Sequence, residues 1–434
     1  MSTHLKHKAP NPWALLPLAV FVICYLVVSL LAGDFDKMPI TVAFCLSGIT
    51  AIAFSKGGKL QQRINHFCSG AANGNVMLMV LIFILAGAFA ETAKATGSID
   101  ATVNLAMALL PSELLATGIF IAACFISLSV GTSVGTIVAL APIAVGIATK
   151  MDFPPSLLLG CTISGAMFGD NLSFISDTTI IASRTQGCSL SDKFKHNIRI
   201  ALPIAVLTGI IYYFISSNQP AISQDAFPIE WEKVLPYIVV LLMAIKGINV
   251  LIVLLIGILL TSISGWYTHA FDAWGCLSAM SKGINNMGEL IIISLLAAGT
   301  LEMIRYNGGI AWIIERITAR THSSKGAEVS IAALVSFANV CTANNTIALI
   351  MAGPIAKDIA TKYNVDPRRS ASLLDIFSCF VQGTLPYGAQ ILIASSLGRA
   401  NPLDIMQYLY YPYLLGASGI LAILCNYPRK FTHQ

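Results

Sequence analysis

Residues 169–179 of this chain read GDNLSFISDTT and concentrate oxygen-bearing side chains in an apolar region. Two aspartates, one asparagine, two serines and two threonines fall within this stretch, between CTISGAMF before it and IIAS after it. Burying a charged group is costly unless a partner or an ion compensates it. The stretch therefore predicts a functional cavity in which Asp170 and Asp177 carry the chemistry.

The composition predicts a polytopic membrane protein. Of the 434 residues, 56% are hydrophobic and only 11% are charged, whereas soluble domains carry about 25% charged residues. Apolar runs such as NPWALLPLAVFVICYLVVSLLAG recur along the chain, and about 18 apolar residues are long enough to cross a bilayer. The net charge of +5 suits a basic cytoplasmic surface. We expect the lipid bilayer as a partner and no nucleic acid.

The chain contains an internal repeat. Residues 142–150 read PIAVGIATK and residues 354–362 read PIAKDIATK, an offset of 212 residues (354 − 142). Further positions match at the same offset without a gap, which indicates a duplication. We therefore predict an N-terminal repeat at 1–217, an extracellular or periplasmic linker at 218–233, and a C-terminal repeat at 234–434.

The distribution of Lys and Arg predicts that the two repeats are inverted. The loop 97–112 has no Lys or Arg, whereas its partner loop 305–325 has several, and basic residues mark the cytoplasmic side. The basic loop 184–199 and the N-terminus are predicted to be cytoplasmic as well. Seven spans per half place both termini in the cytoplasm, and an odd number of spans requires inversion.

Four apolar segments are interrupted by small and polar residues, at 127–136, 169–179, 339–348 and 381–391. Inverted repeats with interrupted segments at matching positions are typical of secondary transporters. Backbone at membrane depth leaves the helical form only where protein or water satisfies its polar groups. The predicted fold is an all-α polytopic membrane protein, in which broken helices or re-entrant hairpins of two inverted repeats meet near the midplane.

The interrupted segments of the first half offer hard oxygen ligands, which suit a small cation such as Na⁺. The candidate ion or proton site consists of Asp170, Asn171, Ser173, Asp177, Thr178 and Thr179. Within it, Asp170, Asn171 and Asp177 are the expected Na⁺ ligands. A proton could bind the same carboxylates, so the two ions would compete. All seven histidines are expected in loops or tails, which leaves Asp375, Glu91 and Glu302 as further candidate proton carriers.

The second half lacks these aspartates and offers hydrogen-bond donors instead. The candidate substrate-binding residues are Asn344, Asn345, Thr346, Tyr387 and Gln390. Two functions remain open at this point: a Na⁺/H⁺ antiporter, or a Na⁺- or H⁺-coupled transporter of a small amino acid or carboxylate. No enzyme motif such as HExxH is present. We expect no cofactor, only Na⁺ and/or H⁺ as coupling ions. The oligomeric state is left open, a homodimer included.

The same motifs carry a family resemblance. GDNLSFISDTT resembles the GDN-x-S-P-x-S-DTT signature of the NhaC-type Na⁺/H⁺ antiporters in the ion-transporter superfamily, and SVGTSVGTIVALAP resembles that family's GTS-[small or Trp]-GT-x₄–₅-P element. The resemblance implies a secondary transporter of the cytoplasmic (inner) membrane with inverted repeats. It also implies a cation site at the DN…SDTT segment, with Thr132 and Ser133 as further candidate residues of the ion or proton site. Phe174 replaces the usual proline, and Val134 stands where many members have tryptophan. Relatives with valine at this position are similar to a branch proposed to carry amino acids.

Overall fold

The computed structural model describes residues 9–32, 38–55, 58–173, 176–217, 230–246, 248–318 and 323–428. In these ranges the chain forms α-helices and two short 3₁₀ turns, Pro12–Leu15 and Ser112–Leu114, and no β-strand. The α-helices are α1 (Leu16–Ala32), α2 (Ile40–Ala53), α3 (Leu60–Ala71), α4 (Gly74–Thr96), α5 (Ser98–Leu109), α6 (Leu115–Val130), α7 (Ser133–Lys150), α8 (Pro155–Leu172), α9 (Asp177–Gln186), α10 (Leu190–Ser217), α11 (Trp231–Ile245), α12 (Val250–Tyr267), α13 (Ala273–Asn286), α14 (Gly288–Tyr306), α15 (Gly309–Thr318), α16 (Ser324–Thr342), α17 (Asn345–Lys362), α18 (Pro367–Thr384), α19 (Ala389–Gly398), α20 (Pro402–Met406) and α21 (Tyr410–Leu424).

Fewer helices are long enough to span a membrane than the sequence predicted. Within the described ranges, seven helical segments are long and apolar enough to cross a membrane, and a pair bent by 110°, α5 with α6, would raise the number to eight. Three of the seven combine two consecutive helices: α8 with α9, α13 with α14, and α18 with α19. Seven spans per half were expected, but several apolar runs fold as helices of 10–17 residues.

The helices break at the four segments that the sequence singled out. Gly131 and Thr132 separate α6 from α7, and Ala343 and Asn344 separate α16 from α17. Gly131 (φ 71°) and Ala343 (φ 48°) have left-handed backbones at equivalent positions of the two halves. A left-handed residue ends an α-helix. The other two breaks lie between α8 and α9 and between α18 and α19.

The helix bounds of the two halves correspond at the offset of 212 residues. Helices α7, α8 and α9 begin and end at the positions equivalent to the bounds of α17, α18 and α19. The segments α8–α9 and α18–α19 run antiparallel, because the beginning of each contacts the end of the other. A Cβ on Gly398 would lie 2.5 Å from Leu159 Cδ1, and Ser370 Oγ donates to Gln186 Oε1 over 2.8 Å.

Glycines allow close helix contacts beside the breaks. A Cβ on Gly165 would lie 2.3 Å from the carbonyl oxygen of Phe120, and a Cβ on Gly169 would lie 2.3 Å from Ser127 Cβ. The small-xxx-small pattern in α8 therefore packs directly against the backbone of α6. This close packing fixes the end of α8, where Asp170 lies, relative to the neighbouring break after α6.

Three segments expected as loops are largely helical. The predicted basic loop 184–199 contains the end of α9 and the beginning of α10, and His196, expected in a loop, is buried in α10. The predicted loop 97–112 is mostly α5, and 305–325 contains α15, with residues 319–322 outside the described ranges. Polar residues at the ends of these helices made them resemble loops in the sequence.

Candidate functional site

Asp170 lies buried at the end of α8, one turn before the break that separates this helix from α9. Its carboxylate accepts hydrogen bonds from three side chains. Ser176 Oγ donates to Oδ1 over 2.6 Å, and Ser133 Oγ and Asn345 Nδ2 donate to Oδ2 over 3.0 and 3.2 Å. Thr178 supports the arrangement by donating to the Asp170 carbonyl over 3.3 Å and pairing with Ser176 over 2.8 Å. We call these five residues the Asp170 cluster.

Both halves contribute to the Asp170 cluster through equivalent positions. Ser133 is the first residue of α7, and Asn345 is the first residue of α17 (345 − 133 = 212). Each of these helices begins directly after a break. No preceding helical turn covers its first side chain, so that side chain can contact Asp170. The two breaks therefore meet at one carboxylate, as the sequence analysis expected of interrupted segments at matching positions.

A second group of polar side chains surrounds Asp375 in α18. Asp375 Oδ2 accepts from Asn171 Nδ2 and from Thr179 Oγ1, both over 3.4 Å, and it pairs with the ammonium of Lys193 in α10. Asn197 Nδ2 donates to Asn171 Oδ1 over 3.2 Å. These five residues, all buried, form the Asp375 cluster.

Lys193 is fully buried, and its ammonium contacts three oxygens of different kinds. Nζ donates to the carbonyl oxygen of Asn171 over 2.5 Å, to Thr179 Oγ1 over 2.8 Å, and to the Asp375 carboxylate. The ammonium thus uses its three protons on one carbonyl, one hydroxyl and one carboxylate. It links α8, α9, α10 and α18.

The buried charges in the described part of the chain leave one carboxylate without a cationic partner. Lys193 pairs with Asp375, and Arg369 forms a bidentate pair with Glu328. The remaining buried residue of the Asp, Glu, Lys and Arg types in these ranges is Asp170. Its hydrogen-bond donors in the described residues are neutral hydroxyls and one amide.

The other first-half candidates lie around these clusters. Ser173 is buried and donates to the Leu128 carbonyl over 2.7 Å, so it joins the break to α6. Thr132 is the N-cap residue of α7, and its carbonyl accepts from Thr136 Oγ1 over 3.1 Å. Asp177 is exposed in the first turn of α9. The expected Na⁺ ligands therefore occupy three different places: Asp170 in one cluster, Asn171 in the other, and Asp177 at the surface.

The second-half candidates divide between local structure and the Asp170 cluster. Gln390 Nε2 donates to Ser133 Oγ over 3.0 Å, so it contacts the cluster directly. Asn344 caps α17 by accepting from Ile347 N over 3.0 Å. The amide of Thr346 donates to Asn345 Oδ1 over 3.0 Å, and Tyr387 Oη donates to the Val340 carbonyl over 2.8 Å.

A cavity of about 300 Å³ lies beside the second-half breaks. Asn344, Tyr387 and Ala389, which lie in or next to the breaks, line it, and Glu302 and Arg305 also line it. The Glu302 and Arg305 side chains form a partly exposed ion pair of 2.6 Å. Glu91, the remaining candidate proton carrier, lies elsewhere in a pair with Lys282 (3.1 Å).

Four residues of this region were not predicted from the sequence: Lys193, Ser176, Asn197 and Gln382. Lys193 was counted as a cytoplasmic loop residue, although Lys193, Asn197 and Ile200 are spaced as one buried helix face. A buried Asp375 requires a partner, and that requirement was the signal that could have selected Lys193. Gln382 Nε2 donates to Gln390 Oε1 over 2.7 Å and so extends the chain of hydrogen bonds that reaches Ser133.

Comparison with known proteins gives consistent matches over most of the chain. Residues 8–216 and 233–427 match the model of the Na⁺/H⁺ antiporter family. The chain is 23% identical to the Na⁺/H⁺ antiporter NhaC of Alkalihalophilus pseudofirmus, over 98% of this chain and 96% of that protein. It is 21% identical to the malate-2H⁺/Na⁺-lactate antiporter of Bacillus subtilis, over 92% and 91%. Among solved structures, the YdaH transporter of Alcanivorax borkumensis aligns with a TM-score of 0.42 and 12% identity, over 96% of this chain and 99% of that one.

Proposed function

The chain belongs to the Na⁺/H⁺ antiporter family, and from this premise we propose that it exchanges Na⁺ for H⁺ at Asp170. The protein is a multi-pass membrane transporter and not an enzyme. The cytoplasmic membrane, with both termini in the cytoplasm, is the location we propose from the distribution of basic residues.

One observation carries the proposal: Asp170 is the buried carboxylate whose described partners are all neutral. A charge in such surroundings is costly unless a cation or a proton compensates it. The other two buried carboxylates in the described ranges already have a basic partner in Lys193 or Arg369. Asp170 is therefore the position at which an exchangeable cation gains the most electrostatic energy.

Exchange requires that the Asp170 carboxylate binds either Na⁺ or a proton, but not both at once. Na⁺ requires the carboxylate in its ionised form, whereas a bound proton removes that charge, so the two ions exclude each other. The hydroxyls of Ser133 and Ser176 suit both states, because a hydroxyl can donate to an ionised carboxylate or turn a lone pair toward a cation. The Asn345 amide supplies a donor from the opposite half.

We propose that the cavity beside the second-half breaks connects Asp170 with one side of the membrane. It reaches Asn344 and Ala389. Their sequence neighbours are Asn345, a member of the Asp170 cluster, and Gln390, which donates to Ser133. Entering ions would pass the hydrogen-bonded amides between the cavity and Ser133.

We further propose that the halves are inverted repeats, which the antiparallel packing of α8–α9 against α18–α19 supports. Single cysteines at Asp100 and Arg316, in a background without other cysteines, test this from outside the cell. Both positions are exposed. We expect a membrane-impermeant maleimide to label the cysteine at 100 and not the one at 316. Labelling of both positions would contradict inversion.

A direct test of the proposed exchange uses the purified protein in liposomes. An imposed outward Na⁺ gradient should acidify the lumen only when the protein is present, and replacement of Na⁺ by choline should abolish the signal. Absence of a Na⁺-dependent pH change in liposomes that contain folded protein would refute the proposed exchange.

A second candidate function is coupled transport of a small amino acid or carboxylate. The observation that favours it is the cavity, where Arg305 and Asn344 offer donors for a carboxylate and Glu302 offers an acceptor for an ammonium. A relative of 21% identity is named as an exchanger of malate and lactate. A saturable rise of the melting temperature by one such compound, lost in Asn344→Ala, would support this function.

A further inference from the structure

The Lys193 ammonium occupies a set of ligands that would otherwise suit a metal cation. Its three partners are the Asn171 carbonyl, the Thr179 hydroxyl and the Asp375 carboxylate. Hard oxygen ligands of these three kinds bind alkali and alkaline-earth cations. Asn171 and Thr179 were candidate Na⁺ ligands from the sequence, and here they surround an ammonium.

Stability alone does not account for a buried ion pair at this place. The positions equivalent to Asp375 and Lys193 in the opposite halves are Ile163 and Ile405 (375 − 163 and 405 − 193 are both 212), and both are fully buried. Replacing a buried ion pair by hydrophobic residues is often neutral or stabilising. The repeated architecture thus accommodates apolar residues here, and the charges need another reason.

The two clusters are joined through the backbone. Asp170 and Asn171 are consecutive residues, and the Asn171 carbonyl that receives the Lys193 ammonium lies at the same break as Asp170. Thr178 and Thr179 are likewise consecutive, and they donate to Asp170 and Asp375 respectively. A cation in the Asp375 cluster therefore fixes the backbone that presents Asp170.

We propose that Lys193 is a tethered resident cation, which fills a second alkali-cation site in the Asp375 cluster and leaves Asp170 as the one exchangeable site. This proposal rests on the proposed exchange at Asp170. Without the ammonium, the carbonyl, hydroxyl and carboxylate oxygens form a vacant site with one negative charge. Removing Lys193 would convert the Asp375 cluster into a site for Na⁺ or K⁺.

The test adds Lys193→Gln to Asp170→Asn, so that the proposed exchange site is already disabled. Melting temperatures are compared in NaCl, KCl and choline chloride of equal ionic strength at alkaline pH. At salt concentrations well below the weakened Kd of Asp170→Asn, that variant alone should show no shift specific to an alkali ion. The double variant should gain a saturable shift with NaCl or KCl. Adding Asp375→Asn should abolish the gained shift. Lys195→Gln, an exposed lysine two residues away, should not produce it.

Two results would overturn the resident-cation proposal: a double variant without an alkali-specific shift, or a shift that survives Asp375→Asn. If Lys193→Gln does not fold even in NaCl or KCl, while Lys193→Gln/Asp375→Asn folds, no alkali ion replaces the ammonium and the proposal fails as well. A Na⁺-specific shift that Asp170→Asn leaves at the wild-type size refutes the exchange at Asp170 instead, so the two failures are distinguishable.

Discussion

Replacing Asp170 by Asn removes one negative charge from the Asp170 cluster while it preserves the shape of the side chain. The amide oxygen can still accept from Ser176, and the new NH₂ group can donate to the Ser133 hydroxyl. We therefore expect a cost in the free energy of unfolding of only about 1 kcal/mol, the typical net value of one hydrogen bond. The affinity for Na⁺ should fall by a larger free energy.

The expected loss of Na⁺ affinity follows from the missing cationic partner. Two unit charges 4 Å apart attract each other by about 4 kcal/mol at an effective dielectric constant of about 20. If dehydration of the ion cancels half of this attraction, about 2 kcal/mol remains, which corresponds to roughly a 30-fold weaker Kd. Asp170→Asn should thus raise the Kd for Na⁺ by a factor of roughly 30 or more and stop Na⁺-driven proton movement.

The assay combines Na⁺-dependent thermal stabilisation with proton flux in liposomes, each over a range of pH. For the wild type, the Na⁺ concentration at half-maximal stabilisation should rise as the pH falls, because protons then occupy the same carboxylate. Asp177→Asn is the matched control, since Asp177 belongs to the same segment but is exposed. Asp170 is not the Na⁺ site if Asp170→Asn keeps the wild-type Kd and flux, or if Asp177→Asn loses more Na⁺ affinity than Asp170→Asn.

Two further predictions concern stability and use melting temperatures of purified variants. Gly131→Ala should destabilise the protein by about 1 kcal/mol, because a Cβ is disfavoured in the left-handed backbone (φ 71°). Ala343→Gly, at the equivalent left-handed position, should not destabilise it. Equal losses of stability in the two variants would contradict this prediction. Arg369→Gln should cost about 3–5 kcal/mol, because it leaves Glu328 buried without its bidentate partner. The neighbouring Arg368→Gln should cost under about 1 kcal/mol, since its ion pair is partly exposed, and a larger loss there would show that burial is not the deciding factor.

The breaks in the helices were predictable because backbone chemistry is local. Gly131 ends α6 because glycine readily adopts a left-handed backbone. Polar residues surround each break because the backbone groups that lack helical hydrogen bonds need other partners. The repeat offset carried this information to the second half, where Ala343 takes the same backbone conformation without being a glycine. Sequence comparison between the halves was therefore more informative there than residue type.

The division of GDNLSFISDTT into two clusters was not predictable from the segment itself. Asp170 and Asn171 are adjacent in sequence, but their side chains contact different partners, from α7 and α17 in one case and from α10 and α18 in the other. Which partner each side chain reaches depends on helix packing between the two halves. The position of Lys193 shows the same limit, because a lysine near the beginning of a helix resembles a surface residue until α18 is packed against it.

The two halves differ at the Asp170 cluster, because only the first half contributes a carboxylate there. The residue equivalent to Asp170 is Gln382, and the residue equivalent to Thr178 is Gln390 (382 − 170 and 390 − 178 are both 212). Gln382 bonds to Gln390, which bonds to Ser133, and Ser133 in turn donates to Asp170. A carboxylate at position 382 would place a like charge within this short chain, and like charges that share a site favour protonation of one of them. Proton binding would then no longer depend on Na⁺ alone. The amide keeps the hydrogen bonds between the halves and adds no charge. In the exchange that we propose, the occupancy of Asp170 therefore depends only on the competition between one Na⁺ and one proton.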